Sequence, residues 1–296
     1  MLECGMIQRG LYLLCCALLV CITSQDQATA QETPLQPPTS SAIQVYLTAP
    51  GKGDSASILT PSELSVSIDK QPAQVTSLHS AKEDKLLFAL LVDISTSEAS
   101  HAESIKKAAM LLFQSLSTGG NQGYLVVFDH QALKSKIPLP PPEARKAIDG
   151  LKFGGGTALY DAIWETCRDI LSRTRNPDFP RRAIILISDG EDNSSHVNHK
   201  EAIEIAEKQG VPIFSLAAPN PRGEQILGEI SNSTGGRAIF DKDLEEGVAP
   251  LLTAINGQWV LSLVFQQTPD QKLHSLAVKT TQRHVSLPAP AKILLR

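Results

Sequence analysis

Between residues 85 and 257 the chain alternates short, almost continuous apolar runs with segments that have the 3.6-residue period of amphipathic helices. The apolar runs cover residues 86–92, 124–128, 183–187 and 212–216. Runs this short and this apolar are typical of parallel strands that are buried on both faces. Because strands and helices alternate, we predict an α/β fold with a doubly wound, mostly parallel, Rossmann-like sheet.

Three of the intervening segments have clear helical spacing. We expect the first helix to begin near Ser100, because Ser100 and Glu103 have the spacing of a capping box. The second places the apolar residues around Cys167 on one face, which predicts a buried, inert thiol. The third runs from about Asn198 to Gln209 and is expected to end at Gly210, a residue typical of helix C-termini.

Segments on both sides of this region alternate apolar and polar residues, as half-buried strands do. The strands predicted in this way cover residues 43–47, 64–68, 73–78, 259–265 and 274–279. We expect the two sets to pair with each other and to form a small β-subdomain into which the α/β domain is inserted. The predicted boundaries are 43–82 for the N-terminal β segment, 83–257 for the α/β domain and 258–296 for the C-terminal β segment.

The first thirty residues have the order of a secretory signal peptide: a polar start that ends at Arg9, an apolar run over 11–22, and small residues before a cut after Ala30. An uncleaved anchor is the alternative, although the run is shorter than the roughly 20 residues that span a bilayer. Residues 31–42, rich in Gln, Thr, Pro and Ser, predict a flexible leader. We therefore expect a secreted or periplasmic protein, without membrane insertion after cleavage.

The remaining composition limits the partners and the cross-links. Cys167 is the one cysteine beyond the signal segment, so an exported chain would contain no internal disulfide. The net charge of −4 argues against nucleic acid, since phosphate-binding surfaces normally show a basic excess.

Three loops that follow predicted strands or a glycine run contain candidate ligands with oxygen donors. Asp93, Ser95 and Ser97 follow the first apolar run, Thr157 follows three glycines, and Asp189 follows the third apolar run. In open α/β sheets, ligands bind at the carboxyl ends of the strands. Hydroxyls and carboxylates without His or Cys suit Mg²⁺, or alternatively Mn²⁺ or Ca²⁺. Taken alone, Thr157 is explained equally well as a helix cap.

The three loops together resemble the metal-ion-dependent adhesion site of von Willebrand factor type A domains, whose pattern is Asp-x-Ser-x-Ser followed by a distant Thr and a distant Asp. The sequences of residues 155–162 and 186–193 also look like those of bacterial members of the family. The resemblance covers roughly residues 85–256, and the flanking β segments resemble those of an exported bacterial subgroup. In this family, Gly is common where Thr96 stands and Met where Glu98 stands, so Glu98 adds a carboxylate near the site.

The resemblance implies a function in protein binding without catalysis. The hydroxyls of Ser95, Ser97 and Thr157 would bind the cation directly, with Asp93 and Asp189 acting directly or through water. The cation would then capture a Glu or Asp side chain of a partner protein.

Other interpretations remain open at this point. The cation could stabilise a structural component of a cell-envelope assembly instead of capturing a partner. Asp93 could be the nucleophile of a Mg²⁺-dependent phosphotransferase, although Ser95 stands where a second acid is common. His196 and His199 could bind zinc but are more simply explained as solvent-exposed imidazoles. Glu191 and Asp192 are expected to be solvated loop charges.

Overall fold

The computed structural model describes five stretches of the chain, residues 40–48, 60–172, 178–267, 270–281 and 287–295. The predicted signal peptide and most of the predicted leader lie outside these described residues. Across the described stretches, no helix combines the length and the apolar character needed to cross a membrane.

The strands of the described stretches are β1 (Ser40–Thr48), β2 (Leu64–Ile68), β3 (Gln71–Ser80), β4 (Leu86–Asp93), β5 (Gln122–Phe128), β6 (Ala132–Lys134), β7 (Arg181–Ile187), β8 (Ile213–Ala217), β9 (Arg237–Phe240), β10 (Gln258–Gln266), β11 (Leu273–Thr280) and β12 (Lys292–Leu294). The α-helices are α1 (Ala102–Leu116), α2 (Pro141–Asp149), α3 (Leu159–Asp169), α4 (His199–Gln209), α5 (Pro221–Ser233) and α6 (Leu244–Asn256). Short 3₁₀ helices cover Pro61–Glu63 and Thr96–His101.

The α/β part is built on one six-stranded sheet in the order β6-β5-β4-β7-β8-β9. All neighbouring strands are parallel except β5 and β6. Every residue of the central strand β4 is buried. Its alternate side chains pack against α1, α2 and α6 on one face and against α3, α4 and α5 on the other. Burial on both faces explains the continuous apolar run, and the predicted doubly wound fold is confirmed.

The flanking segments form a second, antiparallel sheet in the order β1-β10-β3-β2-β11-β12. The predicted pairing of the N-terminal and C-terminal β segments is therefore confirmed. Asp69 and Lys70 have φ angles of 48° and 67°, which let the chain reverse between β2 and β3.

Arg181, the first residue of β7, connects the two sheets. Its guanidinium is buried and donates hydrogen bonds to the carbonyl oxygens of Ile255, at 2.7 Å, and Ala81, at 3.2 Å. It also donates to Oε1 of Gln258, at 3.2 Å. These acceptors lie where the chain enters and leaves the α/β part, so one side chain holds both crossings together.

The capping signals in the sequence predicted the ends of α4 correctly but placed the start of α1 wrongly. α4 follows the prediction, because Asn198 accepts hydrogen bonds from the first turn and Gly210 takes the left-handed conformation at the C-terminus. The predicted capping box of Ser100 and Glu103 is wrong. α1 begins at Ala102 and no side chain caps it, because the preceding residues continue the 3₁₀ helix that leaves the β4 loop.

Candidate metal centre

The candidate metal centre lies at the carboxyl ends of β4 and β7, two neighbouring parallel strands in the middle of the sheet. Asp93 is the last residue of β4, and Asp189 follows the end of β7. Parallel strands end at the same edge of a sheet, so the sequence-distant loops that contain Asp93 and Asp189 meet there.

Asp93 is fully buried and its two carboxylate oxygens have separate partners. Oδ1 accepts a hydrogen bond from the backbone N–H of Ser95, at 2.9 Å, and Oδ2 accepts one from the Ser188 hydroxyl, at 2.7 Å. Burial raises the pKa of Asp93 to about 6, against the lowering effect of these bonds, and the nearby charge of Asp189 adds to the rise. A positive charge close to Asp93 would stabilise the ionised form of this buried acid.

The two serines of the β4 loop lie on the same side of the chain, as their spacing predicts. The hydroxyl oxygens of Ser95 and Ser97 are 3.2 Å apart. Thr96 faces the glycine loop instead, because its N–H and its hydroxyl both donate to the carbonyl oxygen of Gly155, at 3.2 and 2.9 Å. Both serine hydroxyls can therefore bind one ligand, while Thr96 ties the first loop to the second.

Thr157 is buried in the glycine loop and is held by the loop after β7. Its N–H donates to Oδ1 of Asn193, at 2.9 Å, and its carbonyl oxygen accepts from the N–H of Asn193, at 3.0 Å. Gly156 allows this approach, since a Cβ there would lie 2.5 Å from the Ser194 hydroxyl. The helix-cap explanation of Thr157 is wrong, because α3 has Ala158 at its N-cap and no capping side chain.

Asp189 is partly exposed, in contrast to Asp93. Its Oδ1 accepts a hydrogen bond from the N–H of Glu191, at 2.9 Å, and its carbonyl oxygen accepts one from Nδ2 of Asn220, at 3.2 Å. The start of α5 supports this loop closely, because a Cβ on Gly190 would lie only 3.0 Å from Cα of Gly223. Asp189 therefore keeps a fixed backbone and an accessible carboxylate.

Glu98 is a further acid at the site, and the structure shows it more deeply placed than the sequence suggests. It is 5% exposed. One oxygen atom from each of Asp93, Glu98 and Asp189 lies within 4.8 Å of the others. Burial raises the pKa of Glu98 to about 8, and the charges of Asp189 and Asp93 add to the rise. The sequence placed Glu98 near the site, but the hydrophobic pattern contained no signal that it would be buried beside both aspartates.

The von Willebrand factor type A domain model matches residues 88–256, which is more than half of the chain. The chain belongs to the von Willebrand factor type A domain family. A solved structure of a von Willebrand factor type A protein from Catenulispora acidiphila is 12% identical, with a TM-score of 0.51, over 88% of this chain and 75% of that chain. No curated protein matches the sequence.

Proximal thread matrix protein 1 from the mussel byssus is also similar, at 16% identity and a TM-score of 0.51, over 64% of this chain and 50% of that chain. A further structure of that mussel protein is described as having a zinc-occupied metal-ion-dependent adhesion site, at 18% identity and a TM-score of 0.47, over 62% of this chain and 48% of that chain. At identities this low, the two structures with TM-scores of 0.51 show a shared fold alone. The ion of this type A domain therefore has to be inferred from its own residues.

The donor set of this type A domain fits a hard divalent cation. The buried carboxylate of Asp93, the accessible carboxylate of Asp189 and the hydroxyls of Ser95 and Ser97 lie around the same edge of the sheet. All these donors are oxygen atoms, which Mg²⁺, Mn²⁺ and Ca²⁺ prefer. Burial raises the pKa of Asp93 and of Glu98 although the exposed His101 imidazole lies 3.5 Å from Glu98, and a divalent cation would supply positive charge to both acids.

The histidines predicted as a weaker zinc candidate do not form such a group. Within the described part of the chain, the cluster of Asp93, Glu98 and Asp189 is the one group of three His, Cys, Asp or Glu residues with metal-like spacing. His196 is highly exposed, as expected, and its Nδ1 lies 2.8 Å from Oδ2 of Asp161. The expectation of a solvent-exposed imidazole is wrong for His199, whose side chain is 23% exposed and whose Nε2 is buried.

The two acids that follow Asp189 have different roles. Asp192 was expected to be a solvated charge, and this is wrong. Its Oδ2 accepts hydrogen bonds from the N–H of Tyr160, at 3.2 Å, and from the Ser195 hydroxyl, at 2.5 Å. Asp192 therefore attaches the β7 loop to the first turn of α3, whereas Glu191 is exposed as expected.

Proposed function

We propose that this type A domain binds one divalent cation through Asp93, Ser95, Ser97, Thr157 and Asp189 and uses it to capture an acidic side chain of a partner protein. The main support is the separation of at most 4.8 Å between oxygen atoms of Asp93 and Asp189, at the edge of the sheet where both strands end. Mg²⁺ is the expected ion, with Mn²⁺ and Ca²⁺ as alternatives.

An open cavity beside Asp189 supports the capture of a partner. Ser97, Asp189, Asn220 and Lys242 are among the residues that line it. A bound cation would supply positive charge for an incoming carboxylate. The chain's own residues orient that charge toward the cavity, because Asp93 is buried behind the site while Asp189 is accessible. The lining contains Lys242 but also the acids Glu98 and Glu191, so the attraction for an acidic partner has to come mainly from the bound ion.

Calorimetric titration with Mg²⁺ and Mn²⁺ tests the ion site. We expect the wild type to bind and Asp189→Ala to lose measurable binding while its circular dichroism spectrum stays unchanged. The exposed acid Glu103 on α1 offers a matched control, since Glu103→Gln should bind like the wild type. Wild-type affinity in Asp189→Ala would refute the site.

Partner capture is tested with immobilised domain and cell-envelope extract, with and without EDTA. A protein that is retained only with the cation, and not by Asp189→Ala, supports capture through the ion. A partner that binds equally in EDTA would instead favour the second candidate, a metal-stabilised structural component. The buried third carboxylate of Glu98 gives this second candidate specific support, because it leaves the ion less need for an outside acid.

The same geometry supports a binding role without catalysis. A phosphotransferase would need an Asp93 oxygen that can attack a phosphorus atom. Asp93 is fully buried and both of its oxygens accept hydrogen bonds from Ser95 and Ser188. We therefore propose that the ion acts as a bridge between proteins.

Export completes the proposal. The segment ending at Ala30 lies outside the described residues, so this part depends on the sequence pattern alone. N-terminal sequencing of the protein recovered from the medium or periplasm should begin at Gln31. Recovery of the intact N-terminus in the membrane fraction would show a retained anchor instead.

A further inference from the structure

Glu98 is a third acid at the ion site, in addition to Asp93 and Asp189. It lies in the 3₁₀ helix directly after Ser97, and it is 5% exposed. Carboxylates are seldom buried this far without a counter-charge. Its ion-pair neighbour is His101, whose Nδ1 is 3.5 Å from Oε2 of Glu98 and whose side chain is 48% exposed. The backbone of Asp189 also forms a hydrogen bond with the Glu98 carboxylate. One neutral backbone group and one exposed imidazole give this carboxylate no buried counter-charge.

The distances allow Glu98 to share an ion with the two aspartates. Oxygen ligands lie about 2.0–2.6 Å from Mg²⁺, Mn²⁺ or Ca²⁺, so two ligands of one ion are separated by at most about 5 Å. The oxygens of Asp93, Glu98 and Asp189 meet this limit, at 4.8 Å or less. Glu98 also lines the open cavity together with Ser97 and Asp189, on the side from which a partner's acid would approach.

The net charge of the ion site depends on whether two or three carboxylates bind the ion. Asp93 and Asp189 alone neutralise a divalent cation, whereas a third carboxylate gives the site a net negative charge. A negative site repels an incoming acid and removes a coordination position that this acid would use.

We propose that Glu98 is an internal ligand of the same cation and competes with the acidic side chain of the partner. This inference depends on the proposed function, because it concerns how the same ion is regulated. Partner capture then requires that Glu98 leave the ion, so the ion is bound to Glu98 when no partner is present.

Calorimetry and electron paramagnetic resonance with Mn²⁺ alone test the ligand. Glu98→Gln should weaken Mn²⁺ affinity by at least about tenfold. The control Glu103→Gln removes an acid from the exposed side of α1, where the side chain is 83% exposed, and should leave affinity unchanged. Folding of Glu98→Gln is checked by its thermal transition. Gln has nearly the same size as Glu, so the transition measured in EDTA should stay close to that of the wild type. Crystals soaked in Mn²⁺ give a second readout, since the anomalous peak should lie within about 2.6 Å of a Glu98 oxygen.

Acetate serves as the probe for the partner's carboxylate. At saturating Mn²⁺, acetate should change the resonance spectrum of Glu98→Gln at concentrations that leave the wild type unchanged. An equal acetate response in both proteins would overturn the competition. Wild-type Mn²⁺ affinity in Glu98→Gln, or an ion far from Glu98 in the crystals, would overturn the ligand itself. If Asp189→Ala still loses the ion, the proposed function stands without this inference, whereas a wild type that binds no ion refutes both.

Discussion

Replacing Asp93 by Asn should stabilise the ion-free domain while it removes the response to the ion. The pKa of Asp93 rises from 3.8 to about 6 on folding, mainly through burial. A folded-state pKa above the unfolded value means that the charge disfavours folding at neutral pH, and the difference corresponds to about 3 kcal/mol. The Ser188 hydroxyl loses its carboxylate acceptor in the variant, which costs about 1 kcal/mol. The expected net gain is about 2 kcal/mol at pH 7.5.

The pH dependence identifies the cause of this gain. Below about pH 4 the wild-type carboxyl group is protonated in both states, so the advantage of Asp93→Asn should disappear. It should grow as the pH rises from about 4 to 6 and stay constant above. Urea unfolding in EDTA at several pH values measures it, and at pH 7.5 the melting temperature should rise by about 4–8 °C.

Adding Mn²⁺ should reverse the order of stability. At an Mn²⁺ concentration 100 times its Kd, the wild type gains about 2.7 kcal/mol, whereas Asp93→Asn should gain little. Glu103→Gln, at an exposed position on α1, should behave like the wild type. The reasoning is refuted if Asp93→Asn gains as much from Mn²⁺ as the wild type, or if its ion-free advantage does not depend on pH.

Two further substitutions and one labelling experiment test other features of the molecule. Gly156→Ala would place a Cβ 2.5 Å from the Ser194 hydroxyl and 2.9 Å from Oδ1 of Asn193. It should lower unfolding stability by about 1–3 kcal/mol and weaken Mn²⁺ binding in calorimetry, and unchanged affinity would mean that the glycine loop does not position Thr157. Burial raises the pKa of the Cys167 thiol to about 12, so a thiol reagent at pH 8 should label it only after unfolding, and rapid labelling of the native domain would contradict its burial. Burial lowers the pKa of His274, but two bonded aspartates outweigh this and raise it overall. The stabilisation by His274 is therefore full below about pH 6.5 and is lost as the pH rises through the folded-state pKa. His274→Ala should cost more stability at pH 5.5 than at pH 9, and an equal cost in urea unfolding would contradict the ion pair.

Short elements with weak patterns were missed by the sequence. β6 and β12 have three residues each, and β9 has four partly buried ones. Segments this short contain too few positions to show a period, and their pairing depends on neighbours that lie far along the chain. The start of α1 was also predicted wrongly, because the 3₁₀ helix before it follows from the geometry of the β4 loop rather than from Ser100.

The apolar runs and alternating segments were sufficient to predict nine of the twelve strands in the described residues, since burial on one or two faces leaves a local pattern in the chain. The predicted strand ends pointed to Asp93, Ser95, Ser97 and Asp189, and the glycine run pointed to Thr157. The family resemblance then joined these five residues in one site.

Only the tertiary structure decided how the acids are surrounded. Asp192 attaches two loops, and Glu98 lies buried beside Asp93 and Asp189. In the sequence, no local pattern distinguishes Asp192 and Glu98 from solvent-exposed loop acids. Their burial is determined by strands and helices that are distant along the chain, and burial in turn sets their charge state and the ion they can share.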